Sequence, residues 1–157
     1  NNVAGISIKG NGNLTAISQL GDYNSSKISI TGDRNTIGTY SNGSDNKIET
    51  VTIGNNNDNK IYQEGNKNFA SITTGLIGAL SSKNYAEITQ AGSGNLGTVK
   101  QTGYGNTATV FQVGDSNSAS ITQNGSNNNV AVKQYGGKQY SITQNGSNIP
   151  PVTITQQ

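Results

Sequence analysis

The side chains that most often do chemistry are scarce in this chain. It contains no histidine and no cysteine, which removes the usual general bases, thiol nucleophiles and zinc ligands. Its eight carboxylates never recur as a pair at fixed spacing, as a glycosidase-like β-helix would require. Asp22, Asp33 and Asp115 each follow a glycine as Gly-Asp-x-Asn. That spacing is not the one of calcium-binding glycine-rich nonapeptides. In such turns Asp is expected to bond local backbone, and as a charge it can slow premature aggregation. No enzyme activity, metal site or cofactor is expected. The chemistry that does recur is the side-chain amide, which carries donors and an acceptor on one group and can pair with a copy of itself.

Amides and glycines keep a strict interval. Glycine returns at Gly10, Gly21, Gly32, Gly43, Gly54 and Gly65, then at Gly92, Gly103, Gly114, Gly125 and Gly136, every step within a series being eleven residues, and Gly146 comes one residue early. Asparagine keeps the same interval at Asn13, Asn24, Asn35, Asn46, Asn57 and Asn68, then Asn84, Asn95, Asn106, Asn117 and Asn128. The clearest units are NYAEITQAGSG from Asn84, NTATVFQVGDS from Asn106 and NSASITQNGSN from Asn117. Fourteen units can be traced, the first at Asn2 and the last two at Lys138 and Pro150. Residues 1–157 are therefore expected to form one repeat array, interrupted by an insertion at 75–83.

Each unit dictates a local element. Asn, a small residue, Ile or Val, and Gln alternate with other residues at period two, which in a strand sends the four to one face. The Gly and the polar residues after it are turn chemistry, because Gly takes positive φ without steric cost. A seven-residue strand covers about 23 Å, so the turn must reverse the chain and two units return it above its start. The expected fold is all-β: a two-sheet parallel β-solenoid of about seven 22-residue coils, able to stack into a cross-β (amyloid) fibre.

Columns two units apart match under this arrangement. One sheet stacks Gln19, Ser41, Gln63, Gln90, Gln112, Gln134 and Gln156; the other stacks Ile8, Ile30, Thr52, Thr74, Gln101, Gln123 and Gln144. The apolar columns run Ile6, Ile28, Thr50, Ile72, Val99, Ile121, Ile142 and Ile17, Thr39, Ile61, Ile88, Val110, Val132, Ile154. Each fully buried branched side chain contributes about 1.5 to 3 kcal/mol. A buried amide without a partner costs about 1 to 3 kcal/mol, so amides penalise slipped registers. An antiparallel meander with the same turns would abolish the identical ladders.

Composition narrows the class further. Only 30% of residues are hydrophobic and 11% are charged, and the formal charge is +2. The ten Lys and Arg residues are scattered, so no nucleic-acid partner is expected. Lys27, Lys60, Lys100 and Lys133 fall on outward positions, as a solvated face would have them. No apolar run reaches bilayer-spanning length, and no charged, then apolar, signal segment begins at Asn1, so an exported chain would be numbered after processing. The outward column Ser18, Tyr40, Tyr62, Thr89, Phe111, Lys133, Thr155 is mixed. That argues against a flat Thr array, the mark of an ice- or carbohydrate-binding monomer. Its aromatic members suit strands in any case, although a stripe of them could bring filaments together. Leu76, Ile77, Ala79 and Leu80 within the insertion are expected to cover apolar surface at the end of the sandwich.

The run Gln-x-Gly-x-x-Asn-x-Ala-x-x-x-Gln, present as Gln101 to Gln112 and again as Gln112 to Gln123, resembles the curlin repeat of bacterial curli fibres. The resemblance covers most of the chain and fades between Asn24 and Asn57, where Ile30, Ser41 and Thr52 replace Gln. It implies self-assembly into extracellular, cell-surface amyloid, a role in biofilm matrix and adhesion, an outer-membrane secretion channel, and a nucleator or co-subunit as partner. An open solenoid also leaves two unpaired strand edges. The expected subunit junction sets Val152, Ile154 and Gln156 against Val3, Ile6 and Ile8 of the next copy. Pro150 and Pro151, which lack backbone donors, could instead cap the array.

Overall fold

A computed structural model of the chain describes residues 1–75 and 81–157. Every regular element among them is a strand. One sheet stacks β1 (Val3–Lys9), β3 (Ser25–Thr31), β5 (Lys47–Ile53), β7 (Phe69–Thr74), β9 (Leu96–Tyr104), β11 (Ser118–Ser126) and β13 (Gln139–Asn145) in that order. The other stacks β2 (Leu14–Asp22), β4 (Thr36–Ser44), β6 (Asp58–Asn66), β8 (Tyr85–Ser93), β10 (Thr107–Val113), β12 (Asn129–Tyr135) and β14 (Val152–Gln156). Odd units build one sheet and even units the other, and all neighbours are parallel. The result is a β-solenoid of seven coils, which excludes the meander.

The register is 22 residues for most pairs, such as Gln112 over Gln134. It becomes 27 across the insertion, where Gln63 meets Gln90, and 21 near the C-terminus, where Gln123 meets Gln144. In both places the inward columns realign because a one-residue slip would turn every inward side chain outward. Burial alternates along the inner strands as period two demands, for example in Thr107–Val113. Ile61, Ile72, Ile88, Val99, Val110, Ile121 and Val132 lie in one continuous buried cluster, with Ile142 and Ile154 packed against it. Ile28, Ile30 and Ile37 form a second cluster, with Ile17 beside it.

The turns explain the glycines. At Gly103, φ is +111°, and an added Cβ would sit 2.0 Å from the carbonyl oxygen of Gly125 in the next coil. Only a residue without a side chain fits that conformation and that approach. The residue two positions later also takes positive φ, as at Lys67 (55°) and Asn127 (56°), a left-handed position that non-glycine residues occupy at a cost of about 1 to 2 kcal/mol. Sequence periodicity did not reveal this second position, because its residue type varies from turn to turn.

The described residues of the insertion join the same ladder. Leu76, Ile77, Ala79 and Leu80, expected to cover apolar surface, lie outside the described residues. On their far side, Ser81 stands where the column has glycine: its carbonyl oxygen is the atom that a Cβ on Gly54 would meet. Ser81 Oγ donates to the Gly103 carbonyl at 3.1 Å, and Lys83 takes the left-handed place at φ 57°.

Candidate functional site: the amide ladders and the open ends

Gln side chains point inward and bond along the solenoid axis. Nε2 of Gln63 donates to Oε1 of Gln90 at 2.9 Å, Gln90 to Gln112 at 2.8 Å, Gln112 to Gln134 at 2.8 Å and Gln134 to Gln156 at 2.9 Å. In the other sheet Gln101 donates to Gln123 at 3.0 Å and Gln123 to Gln144 at 3.1 Å. The second Nε2 hydrogen reaches across the core to a backbone carbonyl of the facing sheet: Gln101 to Tyr85 at 2.9 Å, Gln112 to Leu96 at 2.9 Å, Gln134 to Ser118 at 3.0 Å. Each Gln therefore ties successive coils and also ties the two sheets. Within these two Gln ladders each Gln–Gln bond is donated toward the C-terminal end, which gives the Gln ladder a direction.

Asparagine works differently from the simple amide ladder expected. Oδ1 of Asn84 accepts both the backbone N–H and the side-chain amide of Asn106, at 2.9 and 3.0 Å, while its Nδ2 donates to the Gly103 carbonyl at 2.9 Å. Through Oδ1, Asn24, Asn35, Asn46, Asn57, Asn68, Asn95, Asn106, Asn117 and Asn128 likewise accept a backbone N–H from the coil above. Asn13 does the same for Asn35 from a partly buried position. The column clamps turns to strands. The turn aspartates also differ from expectation, since Asp33 Oδ1 accepts the backbone N–H of Asn11 at 2.7 Å, and Asp115 Oδ1 that of Ser93 at 2.7 Å. Their partners lie one coil away rather than locally.

Where Gln is missing, other polar groups take over. Asn59 is fully buried and bonds Thr52 at 2.7 Å and Thr74 at 3.0 Å across the core. Ser26 and Thr39 share a hydrogen bond of 3.1 Å. Sequence reading missed Asn59 because it stands at the small-residue position. The signal was present: Gln90 faces Gly97, whose missing Cβ would come within 3.1 Å of Nε2. The shorter Thr52 likewise faces the larger Asn59. Gln101 Oε1 is buried without a donor, because Thr74 beneath it gives its proton to Asn59.

The outer faces carry the charges and aromatics. Tyr40 and Tyr62 stack with ring centroids 4.7 Å apart and planes 9° from parallel. Thr89 separates them from Phe111, which meets Tyr135 edge-on at 6.2 Å. Lys27, Lys60, Lys100 and Lys133 are exposed. Lys60 pairs with Asp58 at 3.1 Å and lies 5.1 Å over the Tyr85 ring. Burial and a hydrogen bond to the Glu87 carboxylate push the Tyr85 phenol well above its ordinary pKa, so it stays protonated at any physiological pH.

The two ends are open. Ile6 and Ile8 are 51% and 44% exposed, against 1% for Ile28 one coil inward. Val3, Ile6 and Ile8 lie on β1, the first strand of the odd sheet; Val152, Ile154 and Gln156 lie on β14, the last strand of the even sheet. In a solenoid continued without rotation of the next copy, the two sets lie in opposite sheets. An even number of units places the first and last strands in opposite sheets. At the C-terminal end the edge strands are β13 and β14, and at the N-terminal end they are β1 and β2. Pro150 and Pro151 precede β14 and leave its edge uncovered. Pro151 stands level with Asn129 by register, the position at which Thr107 one coil lower donates its N–H to Asn128 O at 2.8 Å.

Compared with known proteins, residues 82–110 and 105–136 each match the family model of the curlin associated repeat. No curated protein and no solved structure matches the chain significantly. The matched stretches cover β8 to β12, where the Gln ladders of both sheets are unbroken. Among the described residues, no helix is long and apolar enough to cross a membrane.

Proposed function

We propose that the chain is a structural subunit that polymerises end to end into an extracellular, curli-type cross-β fibre. The observation that carries this reading is that both ends present bare two-strand edges whose inward Ile and Gln columns continue across the junction, except at Ile8, which lies on Gln144. In the fibre, β1 of one copy pairs in parallel with β13 of the preceding copy, and β2 with β14. Ile6 then lies on Ile142, Ile17 on Ile154 and Gln19 on Gln156. Gln156 Nε2, at the donating end of its ladder, meets Gln19 Oε1.

The driving force is burial of edge strands that water now covers, and the direction follows from the ladder's polarity. A contact between two different surfaces does not close on itself, so it grows a filament. The resemblance to curlin extends the proposal to export through an outer-membrane channel, a nucleator or co-subunit, and a place in biofilm matrix and adhesion. No catalytic step is part of it.

The test is a mixed fibre of Ser7→Cys and Thr143→Cys subunits under oxidation. Parallel pairing of β1 on β13 stacks these outward positions at a separation that a disulfide spans, so covalent mixed dimers are expected. Mixing Ser7→Cys with Thr155→Cys, the pair suggested by docking β14 on β1, should give none. Mixed dimers from the second pair alone would overturn the junction, and a chain that stays soluble at high concentration would overturn polymerisation.

A further inference from the structure

We propose that Tyr40 and Tyr62 form an oxidative modification site, at which a one-electron oxidant of the peroxidase and hydrogen peroxide class couples the two phenols into an intrachain dityrosine bond. The pair is set by the fold. Tyr40 and Tyr62 are register partners on β4 and β6, both point outward, and their rings are stacked at 4.7 Å within 9° of parallel. Tyr62 is 41% exposed, so an oxidant reaches it without unfolding.

The other five tyrosines lack this geometry. Tyr104 lies beside Lys83, Tyr135 packs on Phe111, which cannot couple, and Tyr85 is held by Glu87. Among the described residues, Tyr40 and Tyr62 are the stacked tyrosine pair.

The chemistry balances within the site. Each phenol loses one electron and its hydroxyl proton, and the two radicals join through ring carbons ortho to oxygen. The two ring hydrogens at those carbons then move to the oxygens. The net change is loss of two hydrogen atoms, and one hydrogen peroxide is reduced to two waters. Desolvation, and then the charge of Glu64 two residues on along the same outward face, raise the Tyr62 phenol's pKa, and the Glu64 carboxylate can take up the Tyr62 proton.

The position gives the bond a structural consequence. On the inner side of the same strands the Gln column is interrupted by Ser41, which reaches Gln63 only at 3.5 Å. A covalent tie between β4 and β6 would bridge coils between which the Gln ladder is interrupted.

The experiment treats the folded full-length chain, kept dilute, with a haem peroxidase and hydrogen peroxide. The expected product is a monomer lighter by two hydrogens, with the blue fluorescence of dityrosine, whose digest joins the peptides containing Tyr40 and Tyr62. Tyr62→Phe and Tyr40→Phe, which keep a stacked ring, should each reduce that fluorescence to background. Tyr104→Phe and Tyr135→Phe should leave it unchanged. Fluorescence that persists in Tyr62→Phe, a cross-link mapped to other tyrosines, or covalent dimers without modified monomer would overturn the assignment. None of these outcomes depends on whether the chain forms fibres.

Discussion

Gln112 shows what a single amide does here. It accepts from Gln90, donates to Gln134 and donates again to the Leu96 carbonyl on the facing sheet. Replacing it by alanine leaves the Gln134 acceptor and one Gln90 donor hydrogen buried without partners. Each such group costs about 1 to 3 kcal/mol, and the lost packing adds to it. Gln112→Ala is therefore expected to destabilise the fold by about 3 kcal/mol or more and to slow fibre growth. Lys60→Ala removes an exposed pair and should change stability by less than about 1 kcal/mol. Denaturant unfolding and fibre growth of the two variants side by side check this; equal effects would contradict the inward role. The inward placement of Gln112 was legible in its spacing. The bond to Leu96 was not, since periodicity assigns a face and a layer but not the atom reached across the core.

At the scale of an element, the insertion is the informative case. Gly75 ends one stretch and Ser81 resumes the turn ladder, so removal of residues 76–80 joins a complete eleven-residue unit, Asn68 to Gly75 followed by Ser81 to Lys83. The shortened chain is expected to keep the β-solenoid with stability within about 1 kcal/mol, because loop length enters closure entropy only logarithmically. Strand signal by circular dichroism and a thermal unfolding midpoint test it, and loss of the fold would show that the inserted residues are structurally required. The sequence located the break but not its rejoining point, because Ser81 breaks the glycine column. The element-level feature missed most completely was Asn59, whose polar character is explained only by Thr52 and Thr74 standing opposite.

For the whole molecule, the two ends govern behaviour. Interior amides and turns bond to the coils above and below, Gln101 Oε1 excepted, while Val3, Ile6 and Ile8 on the first strand are exposed. Pro151 withholds one upward backbone donor at the β14 edge. Restoring it with Pro151→Thr adds a hydrogen bond worth about 0.5 to 1.5 kcal/mol. The critical concentration for fibre formation should then fall about two- to tenfold, as measured by monomer remaining after sedimentation. An unchanged value would mean that β14 is not an elongation edge.

The repeat alone determined the strand-turn unit, the inward columns, the 22-residue coil and the open-ended architecture, because period two and period eleven are properties of order along the chain. Parity of the fourteen units also implied which sheet each terminal strand joins, yet only the assembled sheets made the mismatch of β1 with β14 plain. What tertiary structure decided was where each polar atom finds its partner. Gln spans to the opposite sheet, Asn clamps a glycine carbonyl in the next turn, and Asn59 fills the space that shorter threonines leave. Those choices depend on distances across a core only two side chains deep, which no one-dimensional pattern encodes.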